Sequence, residues 1–521
     1  MSPFVAYAKI DLNNVEEVDL DDELDDFGDL IDHAPTRSSY TPVDALSLLM
    51  GFKANEILAL DFYKETYRLE HRPINSFPIF LNRHNDQLYQ NWTFNLQLLY
   101  NQCDKMYFTK NSAAIKDYLN IGLETNFIRK LREALEPFDT VLPYDVPKTI
   151  GLFSGAKVQE RRAGLLFQLF KSYGKFTFEI STPLIYQERN YFLNDQEQKN
   201  VRDTFGESSE KETIKFVRDH LVADRLGFDD TRIKLSCQFA ERSKFCGRAG
   251  GQFTLPTAVA FKKGLYGTNF RKHTDERPTL DLNEIVSVIA ESTSTQQEKE
   301  TEMTKLKDLG VSAIDWMSAI LLDEKLGNGG HFGLGGFIES SFKIAKNVDF
   351  NVISSIEYLC PKTVERYFIK KKNPALFEED IFNDAIADDD EAEAARLIKF
   401  LSDQTIETFF PEKYKTTILP GFMFQFTIGP NITVKDWNFQ LGYDFWFKQR
   451  GKIEQIFNVP SEGLVKNERP SCFQNKLFAS VRFNKIRDNY DWAVSLNAGD
   501  TISSSGIGKD FTASLGFHIN F

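Results

Sequence analysis

His273 and Asp275 stand two residues apart in a polar stretch, and no other pair in this chain has types and spacing that suggest catalysis. Nothing joins them. The sequence has no GxSxG elbow, no GxxxxGK[ST] loop, no HExxH helix and no GxGxxG after a strand. A lone His-x-Asp in a polar loop is ordinary surface chemistry, so no enzymatic activity is expected. The seven histidines (His33, His71, His84, His220, His273, His331 and His518) show no metal-ligand spacing. The five cysteines (Cys103, Cys237, Cys246, Cys360 and Cys472) are scattered, with no CxxC pair. Neither a zinc site nor a disulfide framework follows, and no cofactor is expected. The glycine-rich run from Gly327 to Gly336 lies where a strand begins; a kink or close packing explains it better than phosphate binding.

Charged residues offer a second kind of chemistry, the steering of ions. Arg232, Lys234, Arg248 and Lys262 fall on one face of a predicted hairpin. Glu339, Asp349 and Glu357 fall on one face of the next, and Asp444 on a later strand. Opposed charges across a lumen would create a transverse field there. A solvated polar wall would use the same residues.

The elements that carry these residues are strands with period-2 alternation. In the last eleven residues, Phe511, Ala513, Leu515, Phe517, Ile519 and Phe521 alternate with Thr512, Ser514, Gly516, His518 and Asn520. Trp92, Phe94, Leu96, Leu98 and Tyr100 alternate with Thr93, Asn95 and Gln97. The hairpin over 418–447 reads as Phe422, Phe424, Phe426 and Ile428 joined through Gly429-Pro430-Asn431 to Trp437, Phe439, Leu441, Tyr443 and Phe445. Across it Gln425, Thr427, Asn438, Gln440 and Asp444 face the other way.

The carboxy-terminal strand resembles the closing strand of outer-membrane β-barrels. Their assembly machinery reads a terminal Phe preceded by alternate apolar residues. On that resemblance Ser514, Gly516, Phe517, Ile519 and Phe521 form the barrel-assembly signal. The stretch also resembles the looser signal of mitochondrial barrels, but the cell outer membrane is the expected location. The composition agrees. Apolar residues make up 42% of 521, mean hydropathy is −0.36, and no run of eighteen apolar residues exists, so a transmembrane helix is excluded while a barrel is not. Phe is abundant, 47 against 18 Tyr and 5 Trp, as a lipid-facing wall would use it. The net charge of −13 and pI near 5.3 argue against a nucleic-acid partner. The start, MSPFVAYAKI, has no basic region followed by an apolar core and does not read as a signal peptide.

Loop lengths strengthen the resemblance. With strands numbered back from Phe521, the connections at Asp488-Asn489, Gly429 to Ile432, Lys346-Asn347, Arg242 to Phe245 and Ser172 to Gly174 share one side and are short. Those at 499–508, 450–473, 361–413, 263–327 and 188–228 share the other, and all but the first are long. Transmembrane barrels sort short periplasmic turns from long external loops in this way. Nearer the amino terminus the sorting weakens, because strands read at Leu119 to Phe127 and Ile150 to Val158 put 127–149 on the short side.

The expected fold is therefore all-β: a transmembrane antiparallel β-barrel of about fourteen strands (twelve to sixteen allowed), with helical insertions in long external loops. Residues 1–40 hold the acidic run Glu16 to Leu30 and are expected to be a disordered tail. Residues 41–88, with a helical patch from Val43 to Phe62 and the Pro-broken HRPINSFPIFLN, form a periplasmic element or plug. Residues 89–521 form the barrel. The class implies bilayer lipids and the assembly machinery as partners, and allows a homo-oligomer. The expected function is a porin-like channel for small polar solutes. Two alternatives are a plugged transporter of hydrophobic substrates, similar to the long-chain fatty-acid channels, and an adhesive surface barrel acting through its loops.

Overall fold

Alternation along the strands becomes a closed wall. The computed structural model describes residues 40–67, 69–77, 92–121, 125–135, 155–193, 210–265, 276–290, 294–323, 325–466, 468–486 and 491–520, with 195, 197, 199 and 274. The His273–Asp275 pair, the acidic tail at 1–39 and Phe521 lie outside these residues. Seventeen strands are assigned among the described residues. They are β1 (Trp92–Lys105), β2 (Val158–Tyr173), β3 (Phe176–Tyr191), β4 (Val222–Phe228), β5 (Thr231–Arg242), β6 (Phe245–Leu255), β7 (Val259–Lys263), β8 (Gly333–Ala345), β9 (Val348–Leu359), β10 (Lys362–Phe368), β11 (Glu412–Leu419), β12 (Gly421–Val434), β13 (Trp437–Lys448), β14 (Lys452–Ile456), β15 (Cys472–Ile486), β16 (Asp491–Ser505) and β17 (Lys509–Asn520). Helices α1 (Pro42–Gly51), α2 (Ala54–Leu58), α3 (Asn126–Leu135), α4 (Glu210–His220), α5 (Leu282–Ala290), α6 (Gln296–Leu321), α7 (Glu379–Ala387) and α8 (Glu391–Phe409) lie between or before them.

Twelve strands close a ring in the order β1-β2-β3-β5-β6-β8-β9-β12-β13-β15-β16-β17, and β17 returns to β1 in register from Thr93–Asn520 to Gln102–Phe511. Each neighbour is antiparallel and adjacent in sequence within the ring, so no edge remains in it. The wall then rises past the ring in two places. β4 continues β5: Leu184 pairs with Phe228 and Ser181 with Arg232, with the break at Asp229-Asp230. β7 continues β6 beside it. Similarly β10, β11 and β14 prolong β9, β12 and β13 as a three-stranded flap.

Twelve ring strands lie at the low end of the twelve to sixteen expected, two below the central count of fourteen. Leu119, Ile121 and Phe127 do alternate, but they are buried in a hydrophobic core beside the barrel mouth, and Asn126 already starts α3. Short alternation cannot separate a strand from a folded loop. Of the other doubtful strand, 150–154 lie outside the described residues and Val158 opens β2. With both removed, the loop sorting holds at every connection but one. Between successive ring strands, connections 174–175, 243–244, 346–347, 435–436 and 487–490 leave one end and are short; 106–157, 192–230, 256–332, 360–420 and 449–471 leave the other and are long. Only 506–508 is short at the long end.

The turn expected at Gly429 to Ile432 is also corrected. β12 runs through it to Val434, and the turn is Lys435-Asp436, with Lys435 at φ 56. Pro430 has no N–H to give to the ladder, which is why the stretch reads as a turn. It is accommodated opposite Leu441, where Gly429 permits an approach that a Cβ, 2.1 Å from the Leu441 carbonyl oxygen, would forbid.

The outer face is apolar. Leu441 is 64% exposed, and Leu496, Leu515, Ile338 and Phe239 likewise stand outward. Between them Gln440, Asn497, Ser514 and Gln252 face inward and are buried.

Candidate functional site

At the long-connection end the chain builds a cap with cores of its own. Thr41 and Asp44 form a capping box on α1, with Pro42 in its first turn. Leu46 and Leu49 of α1 pack with Phe382 of α7 and Leu397 and Leu401 of α8. A second core joins Tyr63, Tyr67, Phe108, Tyr118, Trp316 and Phe410. Lys372 pins the amino-terminal unit to this cap. Its Nζ donates to the carbonyls of Leu58 (2.6 Å) and Leu60 (2.5 Å) and to Thr408 Oγ1 (3.0 Å). Burial pushes the Lys372 ammonium down to about 8, against the opposing pull of Asp61 and Glu407.

Residues 40–67 and 69–77 therefore lie at the long-connection end. Two placements are expected, periplasmic element or plug; their described part packs with the long connections and reaches into the ring at Ile74 and Phe77. The reason is the apolar face of α1 and α2, which is covered by helices of the long connections. β1 nonetheless begins at the short-turn end, since Trp92 pairs with Lys171 just before the Gly174 turn.

From the cap, residues 69–77 descend into the barrel mouth. Glu70 accepts from Lys448 Nζ (3.0 Å) on β13 and Arg469 Nη1 (2.7 Å). His71 Nδ1 lies 3.0 Å from Arg189 Nη2 on β3. Arg72, 1% exposed, donates from Nη1 to Asp444 Oδ2 at 2.5 Å and from Nε to Ser76 Oγ at 3.0 Å. Asp444 also accepts from Thr427 Oγ1 (2.7 Å) and Gln425 Nε2 (3.1 Å). Asn75 Nδ2 donates to the Asp230 carbonyl (2.9 Å). Ile74 and Phe77 pack on the inward Leu99, Leu166 and Ile185. Three cations surround the Phe77 ring: Lys476 at 4.4 Å, Arg72 at 5.3 Å and Arg162 at 5.6 Å from its centroid.

The wall around this segment is a chain of buried ion pairs. Lys476 Nζ is 2.7 Å from Asp510, whose Oδ2 accepts from Asn101 at 2.7 Å. Asn101 Oδ1 accepts from Arg162 Nη2 at 2.7 Å. Glu160 holds Arg162 (3.2 Å) and Arg189 (2.7 Å) together. Each of these charges lies against at least one opposite charge, as buried charges require, with Glu160 shared by two arginines.

Of the lumen residues expected from sequence, Arg232 and Glu357 form a direct 2.9 Å pair, and Lys234 reaches Glu179 at 3.9 Å. Arg248 and Glu339 are register partners across β6 and β8. Asp349 stands beside the short turn, opposite Lys343. Asp444 holds Arg72. Lys262 is a correction: it sits on β7, beyond the ring, and is exposed. The basic and acidic stripes thus largely neutralise each other within the wall. Gly327, Gly329 and Gly330 have φ near +73, +72 and +85, so the glycine run is a sharp turn above β8, as its position suggested. Arg72, Phe77, Arg162, Arg189, Lys476 and Asp510 escaped the sequence reading. Lys476 alternates with the outward Leu477 and could have been found that way. The plug alternative for 41–88 covered HRPINSF, but nothing local singles out Arg72 within it.

No family model matches the sequence, and no curated protein matches it. Among solved structures, an outer-membrane channel from Pseudomonas putida F1 is 8% identical, covers 86% of this chain and 99% of its own, and has a TM-score of 0.37. The toluene transporter TodX of Pseudomonas putida is 8% identical, with 89% and 97% covered and a TM-score of 0.30. The transport unit of the autotransporter AIDA-I from Escherichia coli is 7% identical, with 93% and 99% covered and a TM-score of 0.33. Likeness at this level decides neither pore nor cargo.

Proposed function

We propose that this protein is an outer-membrane transport barrel held shut by its own amino-terminal segment. The carrying observation is the segment 69–77, tied by side chains to β2, β3, β5, β13 and β15 across the mouth of the ring. A ring of twelve strands encloses a lumen, and an apolar outer belt suits a bilayer, where every backbone polar group must be paired. Lipid is the partner of that belt, with Phe517 and Leu515 of β17 on it. The strand's alternation supports the assembly signal at Ser514, Gly516, Phe517, Ile519 and Phe521 and a role for the assembly machinery. Filling of the mouth favours the plugged alternative over an open porin-like channel. Apart from the inward apolar group at Leu99, Leu166 and Ile185, the lumen is polar and charge-paired, which favours a polar cargo over a wholly hydrophobic one. The test is efflux of a small sugar from proteoliposomes. Full-length protein should leak no faster than empty vesicles. The full-length double variant Arg72→Ala, Phe77→Ala should empty them. Rapid efflux through the unaltered chain would overturn the closed state.

A further inference from the structure

Besides the side-chain contacts of Glu70, His71, Arg72, Asn75 and Phe77, the wall holds residues 69–77 at three main-chain carbonyls, and these say what else the lumen could bind. Arg189 Nη2 donates to the Leu69 carbonyl (3.4 Å), Arg162 Nη1 to the Arg72 carbonyl (2.7 Å) and Arg232 Nη1 to the Asn75 carbonyl (2.8 Å). The three carbonyls recur at every third residue. The three arginines come from three strands, are each at most 5% exposed, and are each fixed by a carboxylate, Glu160 for two and Glu357 for the third. Guanidinium groups preset in this way lose little entropy on meeting an acceptor. Main-chain carbonyls occur in every polypeptide, whatever its side chains.

We propose that the lumen is a binding site for an extended polypeptide, and that residues 69–77 occupy it as a built-in ligand. The proposal rests on the plugged-barrel reading and names its cargo class. Side-chain pockets add preference. Lys448 and Arg469 take an acidic residue, Asp444 takes an arginine two residues later, and the apolar group of Leu99, Leu166 and Ile185 takes an aromatic five residues after that.

The test uses a fluorescent synthetic peptide with the sequence of residues 67–79 and the full-length Arg72→Ala, Phe77→Ala variant in vesicles. Anisotropy should report saturable binding to the variant and none to the unaltered chain, whose site is filled. Adding Arg162→Gln or Arg232→Gln should weaken binding at least tenfold. A photoreactive group at the peptide's Phe77 position should label the strands carrying Leu99, Leu166 and Ile185, a readout that needs no further variant. The bound peptide should also stop sugar efflux, and an oligosaccharide of similar size should not. Efflux without peptide binding overturns the peptide site and leaves the gate standing. Binding with labelling but no efflux keeps the peptide site and removes the gate. Absence of both removes both.

Discussion

Asp444→Asn is expected to release the amino-terminal segment from the barrel mouth. Arg72 reaches the mouth with its side chain fully buried, and Asp444 is its countercharge at 2.5 Å. Removing one partner of a buried pair leaves an uncompensated charge, at a cost of about 3–5 kcal/mol. At about 1.4 kcal/mol per tenfold, the closed population should fall roughly a hundred- to several-thousand-fold relative to the open one. The substitution keeps the shape of the side chain, and Gln425 and Thr427 still have an oxygen to bond, so the wall should persist. Limited proteolysis on intact vesicles reads the result. Cleavage between the cap and β1 should become fast in the variant and stay slow in the unaltered chain. Replacing both partners with apolar residues, Arg72→Met with Asp444→Leu, should restore much of the protection, since such swaps of buried pairs are often neutral or better. Equal cleavage in all three chains would mean that the pair does not hold the segment.

The second large effect concerns the outer wall. Leu441 stands outward on β13, 64% exposed, between apolar neighbours of the same face. Leu441→Arg should cost about 2–4 kcal/mol if that face meets the bilayer midplane, and should sharply lower the yield of membrane-assembled protein. The matching control is Glu454→Arg on the exposed flap strand β14, beyond the ring, which should assemble normally. Membrane-fraction yield and resistance to extraction report both. Normal assembly of Leu441→Arg would place this face in water.

The wall was legible because a strand with one apolar and one polar face writes its period into the sequence residue by residue. Trp437, Phe439 and Leu441 against Asn438 and Gln440 needed no partner to be read. Loop-length sorting read the ends of the barrel from the same information. Leu119, Ile121 and Phe127 misled because they alternate for a different reason, burial in the cap core with Tyr63 and Tyr118. Pro430 misled because a missing N–H is as common in turns as it is rare in walls. The mouth was illegible for a deeper reason. Arg72 and Asp444 lie far apart in sequence, and only closure of the ring brings Arg162, Arg189, Arg232 and Lys476 onto the same short segment. A one-residue description of each strand gives its face and leaves its height and its partner open.

The most direct measurement is photo-cross-linking in intact membranes, with a benzophenone amino acid replacing Phe77 in the full-length chain and the products mapped by mass spectrometry. A closed barrel predicts cross-links to the segments of β1, β2 and β3 that carry Leu99, Leu166 and Ile185, and to β15 near Lys476. Cross-links confined to lipid or to the cap helices, with none to these strands, would contradict a lumen closed by its own chain.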